Sequence, residues 1–597
     1  MSHSPRGSVP GSALPVIVPA GDVTLPALDV TLPALDVTLL ALDVTLLALD
    51  VTLPLSCGIA RSLWGAALGG HGATASWYGA IRCQEGVIPT RCGAMARLRE
   101  CQNGLSGCHL SDAGCRTTFV RRLHDANSPR MGRPFDKVLV ANRGEIARRV
   151  MRTCKRLGIR TVAVFSEADR DAPHVTDADE AVLVGPPSPK ESYLNVEAIV
   201  AAIQSSGAQA VHPGYGFLSE KPAFARAVAD AGAVFVGAPP EALEAFGDKM
   251  KARHVALAAG TRPVPGTDDP VSVNSAEEVA NAHRIAAAVG YPLLAKAVGG
   301  GGGIGMQMVA EPSLLERALK TCSDRGKAAF ADARVYLERY IEEPRHIEVQ
   351  IFCDAHGAAY ALGERECSIQ RRHQKIIEET PSPAAFFAGE AGDARRRRLF
   401  DAALRVVTRA GYVGAGTCEF LADPSGDLFF LEVNARLQVE HPVTEMVTGL
   451  DLVELQLRVA AGEPLPDLSR VDRRGHAIEA RVYAEDPSKG FLPKPGAIDE
   501  LVWAGGEGEA QTPRLRIESG VRAGSKMTPF YDPMIAKVVA WGETRDAAIA
   551  ELDRALAATT IAPCTTNLGF LRKVLADADF RGGRYDTKLA EALAKRG

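Results

Sequence analysis

Two acidic residues, Glu419 and Glu432, bracket the stretch of this sequence with the most chemistry in it. Between them Asp423-Pro424-Ser425-Gly426-Asp427 is a turn signal flanked by apolar, β-prone residues, which predicts a β-hairpin. With Ser425-Gly426 at the tip, Glu419 falls opposite Glu432 and both carboxylates point to one face. Such a pair repels unless a cation lies between, and Mg²⁺ bridging substrate phosphates is the hard-oxygen chemistry that suits it. From Glu432 every second residue is polar, as Asn434, Arg436, Gln438 and Glu440, while Val433, Ala435, Leu437 and Val439 alternate with them. An extended segment of that period lines one surface with acid, amide, guanidinium, amide and acid. A solvated edge strand would show the same alternation.

Two other segments carry charge or backbone groups suited to phosphate. A strand ending in Lys296 leads into Gly299, Gly300, Gly301, Gly302 and Gly303, a run whose entropic penalty implies a use. Its NH groups can fold over phosphate oxygens with Lys296 adding charge, and flanking strands favour a lid over a linker. It is not a Walker loop, since no Gly-Lys-Ser/Thr follows. Glu364 to Lys375 is densely polar and basic, and in isolation reads as a solvated face.

The elements that must hold these residues begin at Lys137-Val138-Leu139-Val140, a buried strand running into a helix through Asn142-Arg143-Gly144. Strands at Thr161–Phe165 and Ala181–Val184, with helices between, predict a parallel α/β domain to about residue 246. Arg143 and Gly144 sit where doubly wound sheets place ligands, but without Gly-x-Gly-x-x-Gly no NAD is expected. His212-Pro213-Gly214-Tyr215-Gly216-Phe217 makes a tight turn, Val335–Ile341 reads as an interdomain hinge, and His346–Gln350 is an alternating strand. A last α+β region starts near Gly475, with strands near Ile517 and Ile535 and helix from Arg545 to Leu593.

In their order and spacing, Ala141–Glu145, His212–Glu220, the five glycines, Gln370–Lys375 and Arg436–Glu445 resemble the biotin carboxylases of the ATP-grasp superfamily, over roughly residues 134 to 590. The resemblance implies a Rossmann-like N-terminal (pre-ATP-grasp) α/β domain at 134–246, an ATP-grasp domain at 247–462 and an α+β C-terminal domain at 463–597. It implies that ATP phosphorylates bicarbonate to carboxyphosphate, whose CO₂ then carboxylates N1′ of biotin on a separate carrier protein. By the same resemblance Lys249, Lys296 and His346 bind phosphate oxygens, Gly300, Gly301, Gly302 and Gly303 close over them, and Glu338 reads adenine. Gln370, His373 and Lys375 face ribose or carboxyphosphate. Glu419, Glu432 and Asn434 hold Mg²⁺ (or Mn²⁺). Arg436, Gln438 and the Val439 backbone grip bicarbonate, Glu440 takes its proton, and Arg481 stabilises the enolate-like biotin oxygen.

Ile304 and Gln307 stand where the family commonly has basic residues, a form similar to urea carboxylases. That keeps a urea carboxylase-like acceptor, or a catalytically silent regulatory paralogue, beside the expected acyl-CoA carboxylase. A carbamoyl-phosphate synthase-type enzyme would lack the Arg481 region. No Ala-Met-Lys-Met biotinylation site occurs, so biotin carboxyl carrier protein and carboxyltransferase are expected on other chains, and the resemblance implies a homodimer.

Length and composition fit this: 597 residues allow about three domains, and a net charge of -4 argues against a nucleic-acid partner. No segment is long and uncharged enough to span a membrane, no secretion signal opens the chain, and the twelve cysteines form no Cys-x-x-Cys, which points to the cytoplasm. Residues 1–133 differ in kind. Five copies of an Asp-Val-Thr-Leu heptad begin at Asp22, and no Lys precedes Lys137, so a low-complexity, disordered extension with the native start at Met131 is expected.

Overall fold

The computed structural model describes residues 17–19, 132–299, 305–505 and 511–596. The expected glycine lid, Gly300–Gly303 with Ile304, and all of the expected extension but Ile17–Pro19, Gly132 and Arg133 therefore lie outside the described residues.

Strands β1 (Ile17–Pro19), β2 (Lys137–Val140), β3 (Arg160–Ser166), β4 (Glu180–Gly185), β5 (Ala210–His212) and β6 (Val234–Phe235) form one sheet in the order β1-β4-β3-β2-β5-β6. All are parallel except β1, which adds an antiparallel edge to β4. Val138, Leu139 and Val140 are wholly buried, as a central parallel strand covered on both faces requires. Val138 and Val140 pack under α1 (Gly144–Arg156), and Leu139 faces the opposite layer with Ile199, Ile203 and Phe224. The turn after β5 is pinned by Asn142, whose Nδ2 donates to Pro213 O at 2.7 Å and Tyr215 O at 2.8 Å. Gly214 is required there: its φ is +62°, and a Cβ would meet Asn142 Nδ2 at 2.8 Å.

Helix α2 (Lys249–Ala258) opens the next region, with Asp248 accepting hydrogen bonds from Met250 N and Lys251 N. A three-stranded antiparallel sheet follows, in the order β8-β7-β9, from β7 (Leu293–Ala297), β8 (Met306–Val309) and β9 (Val335–Arg339). The segment expected as a hinge is thus strand β9, whose Val335 and Leu337 are buried against Leu293 and Ala295.

The larger sheet has eight antiparallel strands: β10 (Arg345–Cys353), β11 (Ala359–Arg371), β12 (Gln374–Thr380), β13 (Gly414–Ala422), β14 (Leu428–Asn434), β15 (His476–Tyr483), β16 (Leu515–Ser519) and β17 (Met534–Gly542). Their order is β14-β13-β10-β11-β12-β15-β17-β16, so one ladder joins residues on both sides of position 462. The Glu364–Lys375 segment is not a solvated face. It forms the buried end of β11 and the start of β12, turned through Arg372 and His373 at φ 47° and 66°. That is a two-residue turn of the primed kind without the Asn-Gly that would have announced it. Among the described residues no helix is long and apolar enough to cross a membrane, and all six described cysteines are free.

Candidate active site

The hairpin β13–β14 sets Glu419 directly opposite Glu432. The turn achieves this differently from the sequence expectation. Ala422 pairs with Leu428 around a loop in which Gly426 N donates to Asp423 O, and a bulge between Glu419 and Phe420 restores the acid pairing. Glu432 lies against Lys249 Nζ, while Glu419 Oε1 takes Lys375 Nζ at 2.9 Å, Asn434 Nδ2 at 2.9 Å and Gln438 Nε2 at 3.0 Å. His346 Nε2 lies 3.0 Å from Glu419 Oε2, and Gln370 Nε2 donates to its Nδ1 at 2.8 Å. Burial resists charge on His346, but Glu419 outweighs it and holds the imidazole above its usual range.

Lys375 is the hub of an acidic cage, with Nζ 2.6 Å from Glu348 Oε2 and 2.7 Å from Glu440 Oε1. Burial would strip its proton, yet Glu348, Glu419 and Glu440 hold its pKa well above the ordinary lysine value. Glu440 also meets Arg481 Nη2 through Oε2 at 2.9 Å. Lys375, Arg481 and Arg365 overcome burial and keep its carboxyl far below the usual range.

The alternating ribbon is shorter than expected, since β14 ends at Asn434 and Glu440 immediately precedes helix α3 (His441–Thr448). Asn434, Gln438 and Glu440 still converge on the cage. Arg436 turns aside: Nε donates to Glu220 Oε2 at 2.8 Å and Nη2 to Asn434 Oδ1 at 3.0 Å. The Val439 carbonyl accepts from buried Lys537 Nζ at 2.9 Å.

Beside the cage opens a cavity of about 450 Å³. Lys249, Lys296, Glu338, His346, Gln370 and His373 all line it, together with Glu419 and Glu432. Leu294, Met306, Ile341, Leu421 and Leu431 give it apolar walls, and Lys588 and Glu591 close it from the far end of the chain. Lys296 Nζ is held by Glu338 Oε2 at 2.6 Å. Two facing carboxylates at the mouth of a lysine-lined cavity form a donor set that fits Mg²⁺. Asn434 fits less directly, because its Oδ1 accepts from Arg436 and its Nδ2 faces Glu419.

Residues 134–243 match the family model of the biotin carboxylase N-terminal domain and 479–592 that of the biotin carboxylase C-terminal domain. Residues 248–468 match the carbamoyl-phosphate synthase L chain ATP-binding domain. Over 450 residues the sequence is 45% identical to biotin carboxylase of Haemophilus influenzae, covering 75% of this chain and 96% of that protein. The chain belongs to the biotin carboxylase family. It is also 44% identical to the mitochondrial methylcrotonoyl-CoA carboxylase subunit alpha of Dictyostelium discoideum, spanning 79% of this chain but only 65% of that protein. Among solved structures, a biotin carboxylase–β,γ-ATP complex from Campylobacter jejuni superposes with a TM-score of 0.72 at 41% identity, covering 77% of this chain and 99% of that one. The biotin carboxylase domain dimer of Hydrogenobacter thermophilus 2-oxoglutarate carboxylase, with MgADP, ADP and bicarbonate, gives 0.71 at 41% identity, covering 77% and 97%.

This biotin carboxylase is thus a ligase built on an ATP-grasp domain. Sequence reasoning missed several residues of its site. Arg365, wholly buried, donates to Gln350 Oε1 at 2.6 Å, Thr417 Oγ1 at 3.0 Å and Gln438 Oε1 at 2.8 Å and lies against Glu348. Glu220 and Lys537, from sequence-distant parts of the biotin carboxylase chain, position Arg436 and Val439. Glu220 closes the His212–Glu220 stretch, the one signal that could have found it. Lys537 lies in an apolar strand with no such signal.

Proposed function

We propose that this biotin carboxylase transfers the γ-phosphoryl group of ATP to bicarbonate and delivers the CO₂ of carboxyphosphate to N1′ of biotin on a carrier protein. This is the first half-reaction of an acyl-CoA carboxylase. The observation that carries the reading is the continuity of the lysine-lined cavity with the Glu419–Lys375–Glu440 cage. Phosphate and proton chemistry thus meet across a single carboxylate. The bound MgADP and bicarbonate of the Hydrogenobacter domain support it.

Lys249, Lys296 and His346 would take phosphate oxygens, and Glu338 with the apolar walls would receive the base. Magnesium or manganese held by Glu419 and Glu432, with Asn434 alongside, would neutralise phosphate charge during transfer. Arg436, whose guanidinium Glu220 and Asn434 now hold, would turn its planar fork to the bicarbonate oxyanion together with Gln438 and the Val439 backbone. Glu440 is ionised at neutral pH and can accept the bicarbonate proton once Lys375 leans on Glu348 and Glu419, which it already touches. Arg481 would stabilise the biotin oxyanion.

Carrier and carboxyltransferase functions are placed outside these 597 residues, which contain no Ala-Met-Lys-Met. The proposed assembly is a homodimer, as in the Hydrogenobacter domain dimer. A cytoplasmic setting is proposed on the free described thiols. Divisions at 134–246, 247–462 and 463–597 are proposed as working parts, although one sheet unites the last two. The test is bicarbonate-dependent ADP release with and without free biotin. Release that biotin stimulates is expected, and a folded preparation that biotin leaves unchanged would reject the reading.

A further inference from the structure

Glu378 and Glu479 stand directly opposite each other on β12 and β15, both wholly buried. None of their four carboxylate oxygens has a hydrogen-bond partner. Arg481 Nη2 forms an ion pair with Glu378 Oε1, and that same nitrogen reaches Glu440 Oε2 at 2.9 Å. On the other side Lys537 Nζ is 3.1 Å from Glu145 Oε2. Arg481 is therefore shared between Glu378 and Glu440, which also has Lys375, and Lys537 acts on both Glu145 and Glu479, so these four acids outnumber the cations not already taken by Glu348 and Glu419. Ionising all four in a water-poor interior would leave uncompensated negative charge, and neighbouring buried carboxylates avoid this by retaining a proton.

We propose that the Glu378–Glu479 pair is a proton store for the active site, holding a proton between its two carboxyls and receiving the one that Glu440 takes from bicarbonate. The steps balance. The O–H bond of bicarbonate breaks as the Glu440 O–H forms; that bond then breaks as an O–H forms on Glu378, leaving Glu440 ionised for the next turnover. The stored proton leaves to water when products depart. Arg481 stays protonated throughout and serves as the bridge that keeps both acids at one edge.

The surroundings suit this role. Burial pushes the Glu378 carboxyl up to about 7, with Arg481 pulling it down and Glu440 pushing it further up. Burial raises Glu479 well above its ordinary value, Lys537 opposing and Glu378 reinforcing. The charged and titratable groups facing the pair are Lys375 on β12, Cys367 on β11, Glu440 before α3, Arg481 on β15 and Lys537 on β17. His441 on α3 stays neutral, through burial and through Lys537, Arg149 and Arg516.

The inference rests on the proposed reaction only for the origin of the incoming proton. Its test uses the full chain, Glu378→Gln, Glu479→Gln and the double variant. Infrared difference spectra between about pH 6 and about pH 8 should show the C=O stretch of a buried protonated carboxyl in the parent, absent from the double variant. Glu378→Gln should lower kcat for bicarbonate-dependent ADP release at least ~10-fold, a loss expected of a displaced proton-transfer group. KM for ATP should stay unchanged, and the inflection near neutral pH should vanish. Glu378→Asp should restore part of the rate. If Glu378→Gln does not fold, Glu479→Gln should shift that inflection to lower pH, since Glu378 then faces no second acid. A parent without the band, or a Glu378→Gln enzyme with the parental rate and pH profile, would overturn the proposal. A parent with no bicarbonate-dependent ADP release would instead sink the proposed function, and the band would still decide this inference.

Discussion

Glu440 shows how a single carboxylate is prepared for proton transfer by groups far apart in sequence. Lys375 and Arg481 each hold one of its oxygens, so it is fully ionised at neutral pH and has no competing proton to lose first. Glu440→Gln keeps the shape and both contacts' partners but cannot accept a proton. Its bicarbonate-dependent ADP release should fall by ~10²–10⁴-fold, the usual weight of a positioned general base, while ADP affinity measured by calorimetry stays at the parental level. Retained turnover would remove Glu440 as the base. At this scale the sequence was legible where spacing carried the information: a short turn between apolar runs pointed to Glu419 against Glu432, a pairing the strands reach through a bulge. It was opaque for Arg365, because a buried guanidinium in the run Glu364-Arg365-Glu366 has the same local composition as a solvated one. Only the acceptors brought from β10, β13 and the loop after β14 distinguish the two cases.

Strands carry most of the cage, with Gln438 and Glu440 added from the segment after β14, and strand register decides which side chains meet. The bulge at Leu431 of β14 shows the limit of counting from a turn, since the acid pair is restored by an extra backbone residue that no composition rule would place. The alternation from Glu432 to Glu440 also brought Asn434, Gln438 and Glu440 inward in a segment that leaves the sheet at Asn434, while Arg436 turned aside to Glu220. Leu437 is wholly buried on the other side, so packing maintains the alternation after the ladder ends. Arg365 ties these elements together from the middle of β11. Truncating it to Met would leave Glu348 buried against Lys375 alone and strip Gln438 of its donor. Breaking a buried pair in this way should destabilise the chain by about 3–5 kcal/mol, measured as a lower urea midpoint. Arg365→Lys, which keeps the charge but not the fork, should recover less than half of that loss. An unchanged midpoint for Arg365→Met would show that the β10–β11–β13 junction is held by its apolar contacts.

The whole molecule is joined by buried charge, and the adjacent pair Glu378-Glu379 reports on it from the two faces of one sheet. Successive residues of β12 point opposite ways, so Glu378 faces the catalytic cage while Glu379 enters the C-terminal helices. There its oxygens accept from His476 Nε2 at 2.6 Å, Arg545 Nε at 2.6 Å and Tyr585 Oη at 2.5 Å. Burial opposes ionisation of both acids. At Glu379 the hydrogen bonds from His476 and Arg545 win and bring the carboxyl down to about 2, whereas Glu378 is pushed up to about 7. Linkage then gives opposite signs. The contribution of Glu379 is present above its unfolded-state value and is lost as pH falls toward about 2. Glu379→Gln should therefore unfold at a lower temperature than the parent near neutral pH, and the gap should close on acidification. The contribution of Glu378 is present below its unfolded-state value and is lost as pH rises through about 7. Glu378→Gln should accordingly gain on the parent as pH is raised across that range. Both gaps should respond little to added salt, because the groups are buried. Thermal midpoints of the two variants across pH check this, and parallel rather than opposed trends would mean that the strand does not separate the proton-holding face from the ion-paired one.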